Sequence, residues 1–320
     1  MYPEQNAPVL ALPSGYSARP ATRADFEGIY KLIHDYDVSV AGYSDFAMDD
    51  LRELFHEEHF EPERDTRLVV DDRDGAVAYT MLWGREPERR YAAFAVVHPH
   101  HLGRGLGRHL LSFLENRMPD HVMDDSGAIL WNWVDLEDKA AQRMVEAAGF
   151  TEVRRHYTML VDVGGSQPAA NDPDGISIRT CTEEDAEVVH RLLNETFAEH
   201  WGFTPISYEA WRKQSYERAD TDLDMWLLAL EGDEPAGVLV GRPMEDMGWV
   251  ADLGVRKQWR KRGIASALLN RSFADFKRRG FDKVGLGVDA SNETGAVRLY
   301  ERVGMKASRV YLTYEKLYRP

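Results

Sequence analysis

The strongest constraint on this fold is that one stretch of the sequence occurs twice. Val97-His98-Pro99-His100-His101-Leu102-Gly103-Arg104-Gly105-Leu106-Gly107 matches Val255-Arg256-Lys257-Gln258-Trp259-Arg260-Lys261-Arg262-Gly263-Ile264-Ala265, and each reads as a strand, a glycine turn and the start of a helix. The flanks keep the same order. Arg19-Pro20-Ala21-Thr22-Arg23-Ala24-Asp25 answers Arg179-Thr180-Cys181-Thr182-Glu183-Glu184-Asp185, and Arg143-Met144-Val145-Glu146-Ala147-Ala148-Gly149-Phe150 answers Arg298-Leu299-Tyr300-Glu301-Arg302-Val303-Gly304-Met305. Matched landmarks in register describe two homologous domains, not a solenoid of short repeats. A length of 320 residues suits two domains of roughly 150 residues, each able to bury one core.

The division is expected at 164–175, a polar stretch rich in Gly and Pro without apolar periodicity, giving a first domain over 1–163 and a second over 176–320. In the second copy Ile176–Arg179 reads as a strand, followed by a helix capped at Thr182 with Asp185 three residues on. A further helix is expected over Tyr208–Arg218. Met225–Leu230 and Ala236–Gly241 form a hairpin, Trp249–Val255 the next strand, and Ile264, Leu268, Phe273 and Phe276 one face of a helix ending at Gly280. Val284, Leu286 and Val288 alternate as a strand, Gly295–Val303 is a short helix and Val310–Tyr314 a last strand. The first copy repeats this with strands Thr66–Val70, Ala76–Trp83, Tyr91–Val97 and Ala128–Val134 and helices Leu106–Arg117 and Asp138–Ala148. The pattern predicts an α/β (α+β) fold, a mixed, mostly antiparallel twisted sheet with helices on both faces.

Composition narrows the function classes. No apolar run approaches the roughly 18 residues needed to cross a bilayer, and the first sixteen residues lack the pattern of a secretory signal, so a soluble cytoplasmic protein with no membrane partner is expected. A formal charge of -15 argues against nucleic acid and suits a cationic small partner. The one cysteine, Cys181, reads as a small semi-buried residue beside a helix cap.

Chemistry enters at Arg260-Lys261-Arg262-Gly263-Ile264-Ala265, which fits Arg/Gln-x-x-Gly-x-Gly/Ala at a strand-to-helix turn. Glycine admits close backbone approach, and the free N–H groups of the helix N-terminus then suit a pyrophosphate. Arg256, Lys257, Arg260, Lys261 and Arg262 add positive charge. A dinucleotide fingerprint needs three spaced glycines after a first strand and a Walker loop needs Gly-Lys-Ser/Thr, and neither is present. No metal is expected: His98, His100 and His101 flank a phosphate turn, and His56-Glu57-Glu58-His59 has the wrong spacing for a zinc-protease helix.

With these residues the chain resembles a tandem member of the GNAT superfamily of N-acetyltransferases. The resemblance rests on the Arg260–Ala265 loop, the strand Lys283–Asp289, and the segment from Asn292 to Met305, similar to the family's Asn-x-x-Ala-x-x-Leu-Tyr-x-x-x-Gly-Phe. It implies acetyl-CoA as co-substrate, with its pyrophosphate on Gly263, Ile264, Ala265 and their neighbours and its pantetheine along Leu253, Gly254 and Val255. Asn292 would touch the cofactor arm and the Tyr300 hydroxyl would protonate the departing thiolate.

The attacking amine must be neutral, and at pH 7 only on the order of one alkylammonium in a thousand is. Asp252, the only carboxylate on the central strand, is the candidate base. Glu199, His200, Trp201 and Phe203 stand where the family walls its acceptor pocket. The first copy has Leu102, Glu137 and Val145 where the second has Arg260, Asn292 and Tyr300; Val97, Gly103, Arg104, Gly105 and Gly107 remain as a second CoA cradle. The expected activity is acetylation of a primary amine on a small molecule, by a monomer. The arrangement is similar to mycothiol synthase, which acetylates a cysteinyl amine; a non-catalytic acyl-CoA-binding protein is the alternative.

Overall fold

The computed structural model describes residues 9–56, 60–73, 75–85, 89–122, 124, 126–165, 171–292 and 295–319. The first copy runs β1 (Tyr16–Arg19), α1 (Phe26–Ala41), two short helices α2 (Met48–Leu54) and α3 (Pro62–Asp65), β2 (Thr66–Asp71), β3 (Ala76–Arg85), β4 (Arg90–Val97), α4 (Leu106–Arg117), β5 (Ala128–Asp135), α5 (Lys139–Ala147) and β6 (Thr151–Asp162). The second runs β7 (Ser177–Thr180), α6 (Ala186–Phe197), α7 (Tyr208–Trp211), β8 (Trp226–Glu231), β9 (Glu234–Pro243), β10 (Gly248–Val255), α8 (Ile264–Arg278), β11 (Lys283–Asp289), α9 (Ala296–Arg302) and β12 (Lys306–Tyr318). No helix among the described residues is long and apolar enough to cross a membrane.

The chain forms two compact units that are not simple halves. Residues up to Arg155 together with Arg309 onward make one, and His156–Ser308 make the other. The first unit's sheet is ordered β1-β2-β3-β4-β5-β12 and the second's β6-β11-β10-β9-β8-β7. Each sheet is thus finished by the last strand of the other copy. β12 pairs antiparallel with β5 from Tyr311 opposite Asp135 to Tyr318 opposite Ala128, and β6 pairs with β11 from His156 opposite Asp289 to Asp162 opposite Lys283. Contact therefore divides the chain at 155/156 and 308/309, because a strand's alternation marks it as a strand without saying which sheet it joins. Of the expected linker 164–175, residues 166–170 lie outside the described residues; Asp172 is held by Arg271 at 3.1 Å.

The repeat is visible atom by atom at the first helix of each copy. The Thr22 and Thr182 N–H groups each donate to the aspartate three residues on at 2.8 Å. Arg19 and Arg179 fork onto those same carboxylates, Asp25 and Asp185, at 2.6 to 2.8 Å. The guanidinium beside each holds its carboxyl down at about 2.

In the first unit α1 covers one sheet face through Ile29 and Leu32 against Tyr79, Met81 and Val96. α4 and α5 cover the other through Leu111, Leu114 and Val145 against Ala93, Leu130 and Val134. In the second unit a Cβ placed on Gly241 would stand 3.2 Å from Phe276 of α8, and one on Gly254 would overlap Thr196 of α6, so α8 and α6 lie on opposite faces. The helix expected over Tyr208–Arg218 is shorter: α7 passes at Arg212 into a π turn, with the Glu217 N–H donating to the Arg212 carbonyl at 2.7 Å. The wider turn brings residues five apart onto one side, so Trp211 and Tyr216 both pack on Trp226 with centroids 6.0 Å away. Cys181 is buried, and burial pushes its thiol up to about 12.

Candidate functional site

The second unit's sheet opens at its centre. β10 runs parallel to β11 only at Gly248 opposite Val284 and Trp249 opposite Gly285. Beyond that point β10 continues against β9 alone, so the backbone of Val250–Val255 faces the gap between the two parallel strands. The Trp249 indole lies at the last paired position. A Cβ on Gly285 would lie 2.7 Å from Trp249 Cζ3 and 2.9 Å from Leu160 Cδ2, so only glycine lets that ring cross β11.

A β-bulge sits at the start of the gap, where the register on β9 slips between Val250 and Asp252. An extra residue turns all later side chains to the other face. Gly248 lies against Phe276 of α8, whereas Gly254 lies against Thr196 of α6. Asp252, two residues before Gly254, therefore faces α6. Burial among protein atoms pushes its carboxyl up to about 6, opposed by the charge of Arg242. Tyr300 of α9 is 8% exposed. Burial and then the Asp252 charge push its phenol up to about 12, so the charge of Asp252 reaches the hydroxyl. Among the described residues the Tyr300 hydroxyl makes no hydrogen bond, which leaves it available to a ligand.

At the far end of β10 a short turn leads into α8. Lys261 and Gly263 both have left-handed backbone, φ 65° and 83°, and Gly263 ends the turn as the residue before the helix. The helix ladder starts with the Ala267 N–H donating to the Gly263 carbonyl at 3.0 Å, so the earlier amides, those of Ile264 and Ala265 included, have no partner in the ladder. Arg260 folds back, its Nε donating to the Val255 carbonyl at 3.1 Å. The loop's cations are not bare. Arg256 pairs with Glu195 at 2.8 Å, Arg262 with Glu231 at 2.7 Å, and Glu199 takes Lys257 at 3.0 Å and Arg260 at 3.5 Å.

Glu199 is thus exposed and bound to the cations of the loop before α8. His200 is half-buried against the Phe197 ring at 4.5 Å. Burial and the Arg260 charge lower its imidazole, which Asp289 and Glu199 partly offset. Phe203 reaches Phe197 at 6.2 Å, and Trp201 is 38% exposed. The Asn292 N–H donates to the Asp289 carbonyl at 3.1 Å. The sequence alone did not point to Arg242, Glu195 or Glu231, which carry no motif, nor to the pairing of Glu199 with the loop.

The first unit keeps the glycine turn and differs at the candidate site residues. Gly103 and Gly105 retain φ 74° and 86°, Val97 ends β4, and Gly107 packs in the first turn of α4. Arg104 is bound to the Tyr16 hydroxyl at 2.7 Å and the His100 carbonyl at 3.2 Å. β4 pairs with β3 without a bulge. Counting back from Val97 as from Val255 puts Phe94 in the place of Asp252, packed on Tyr79 and Trp83 at 5.8 and 6.1 Å. Val145, in the place of Tyr300, is 1% exposed in the core. Among the described residues no group of His, Cys, Asp or Glu could hold a metal; residues 57–59 of the histidine pair lie outside them.

Comparison with known proteins agrees with this geometry. The model of the acetyltransferase (GNAT) family matches residues 26–150 and again 186–305. The chain is 29% identical over 261 residues to a mycothiol acetyltransferase of Thermobispora bispora, covering 78% of this chain and 83% of that one. It is 28% identical to one of Streptomyces scabiei, covering 78% and 77%. Among solved structures, a GCN5-related N-acetyltransferase from Sphaerobacter thermophilus superposes with TM-score 0.80 at 29% identity, over 97% of this chain and 98% of that one. A tandem GNAT protein from the clavulanic acid biosynthesis pathway shares the fold, with TM-score 0.73 at 14% identity over 95% and 99%.

Proposed function

Because the chain belongs to the acetyltransferase (GNAT) family and is an acyltransferase, we propose that it moves an acetyl group from acetyl-CoA to a primary amine of a small molecule, with the second unit carrying the chemistry. The observation that carries this reading is that Asp252, on the part of β10 left unpaired by β11, acts on the buried Tyr300 phenol, and that β10 runs on to the Gly263 turn before α8.

Acetyl-CoA lies with its pyrophosphate on the first amides of α8 and its pantetheine along the unpaired edge of Leu253–Val255. That edge supplies backbone N–H groups to the charge that develops on the thioester oxygen. Asp252, at about 6, is mostly ionised at neutral pH and accepts the proton that the ammonium must lose before attack. Tyr300, at about 12, keeps its proton through the ordinary range and gives it to the departing thiolate. His200, Trp201 and Phe203 border the acceptor, and Asn292 adjoins the cofactor arm. Since relatives carry the name mycothiol acetyltransferase, the cysteinyl amine of a sugar conjugate is the first acceptor to assay.

The test is isothermal titration of acetyl-CoA into the wild type and Gly263→Glu, which places a carboxylate in the cradle at a left-handed position. A single site that disappears in the variant supports the second unit as the cofactor site. Two sites of which one survives assign cofactor to the first unit as well. No binding to the wild type overturns the proposal.

A further inference from the structure

The face of β9 and β10 that carries Asp252 also carries a set of charges that no family motif marks. Arg242 stands opposite Trp249 on β9, and Val240 stands opposite Asp252. Gly241, between Val240 and Arg242, faces α8, so Arg242 points to the α6 side, diagonal to Asp252 and within side-chain reach of it. On the loop before β8, Arg218 forks onto Asp220 at 2.7 and 2.8 Å, and the two side chains are only 8% and 12% exposed. Arg242 acts on both carboxylates, lowering Asp220 as well as Asp252.

We propose that Arg242 is a positioning residue for the Asp252 carboxylate, its charge shared between Asp252 and the Arg218–Asp220 pair. The proposal rests on the reading of Asp252 as the proton acceptor. A cation held wholly by Asp252 would stabilise its ionised form and make it a weak base; no cation at all would leave a buried carboxyl that is still largely protonated at pH 6. Asp220, itself held by Arg218, draws part of the Arg242 charge away and leaves Asp252 between these limits. The charge of Asp252 in turn acts on Tyr300 of α9. α6 presents the uncharged Thr196 at Gly254, and His200 answers to Arg260, Asp289 and Glu199 instead.

Opposite shifts test this. The pH dependence of kcat/KM is measured for the wild type, Arg242→Gln, Asp220→Asn and Asp252→Asn, with acetyl-CoA and whichever amine the wild type turns over. Arg242→Gln is expected to move the acid limb up by about one pH unit. That lowers the rate about fivefold at pH 6 and leaves it little changed at pH 8. Asp220→Asn is expected to move the limb down, and Asp252→Asn to abolish it. If the limb survives in Asp252→Asn, the base assignment itself fails. If it vanishes there but stays put in both other variants, the base stands and the shared cation is overturned. A loss that is equal at every pH also overturns it, since that marks a purely structural Arg242. Thermal unfolding of each variant identifies one that has lost its fold, and Arg242→Lys, which keeps the charge, is expected to restore the wild-type limb.

Discussion

Replacing Tyr300 by Phe removes one oxygen and very little else. The ring lies in the second unit's core and is 8% exposed, and among the described residues its hydroxyl makes no hydrogen bond whose loss would strand a partner. Stability is therefore expected to change by no more than about 0.5 kcal/mol, and acetyl-CoA affinity by less than about threefold. Turnover has a different dependence. A general acid contributes roughly 10²- to 10⁴-fold, which is about 3 to 5 kcal/mol of barrier. Because the phenol is pushed up to about 12, the wild type keeps its acid protonated throughout the assay range, and the deficit should be the same at pH 7 and pH 9. The assay is release of the CoA thiol, trapped by a chromogenic disulfide. The protein's own thiol does not interfere, since Cys181 is buried and its proton is held up to about 12. A fall of less than tenfold, or one matched by weaker cofactor binding, would refute the acid role.

Three further outcomes follow from the packing. Gly254→Ala drives a methyl into Thr196, with 2.9 Å left to its Cβ; a cost of about 1 to 3 kcal/mol and weaker acetyl-CoA binding are expected by thermal melt and titration. Arg309→Met removes the cation that Asp37, Asp45 and Asp135 share at 2.7 to 3.0 Å, and stranding those buried carboxylates should cost about 3 to 5 kcal/mol in urea unfolding. Asp185→Asn should lose about 0.5 to 1.5 kcal/mol by weakening the hydrogen bonds from Thr182 and Arg179. The folded carboxyl sits at about 2 against an ordinary 3.8, so the wild type holds this stability above pH 4 and loses it as pH falls toward 2, while the variant should show no such contribution.

Much of this was legible because it is periodic or local. The Thr182–Asp185 cap, the Gly263 turn and the α8 face are written in neighbouring residues, and the second copy repeats them. The face taken by Asp252 was not legible, since the bulge at Ala251 has no side-chain signature yet decides whether the carboxyl meets α6 or α8. Nor were the partners of Arg256, Lys257, Arg260 and Arg262, whose carboxylates come from α6, the turn after it and the β8–β9 hairpin. A charge run by itself reads as free charge. The π turn after Trp211 was hidden for a similar reason: the ring that Trp211 and Tyr216 pack on, Trp226, comes from β8.

The exchange of β6 and β12 also sets a timetable for the nascent chain. A ribosome makes about 5 to 20 residues per second, and the whole of 156–308 is translated before Arg309. Throughout that interval β5 has an open edge, and Asp37, Asp45 and Asp135 have no Arg309 between them. An open edge invites strands from other chains, and three carboxylates crowded without a cation oppose closure. The first unit, although made first, should be the last to lock, and its protection against proteolysis should appear only on release of the full-length chain.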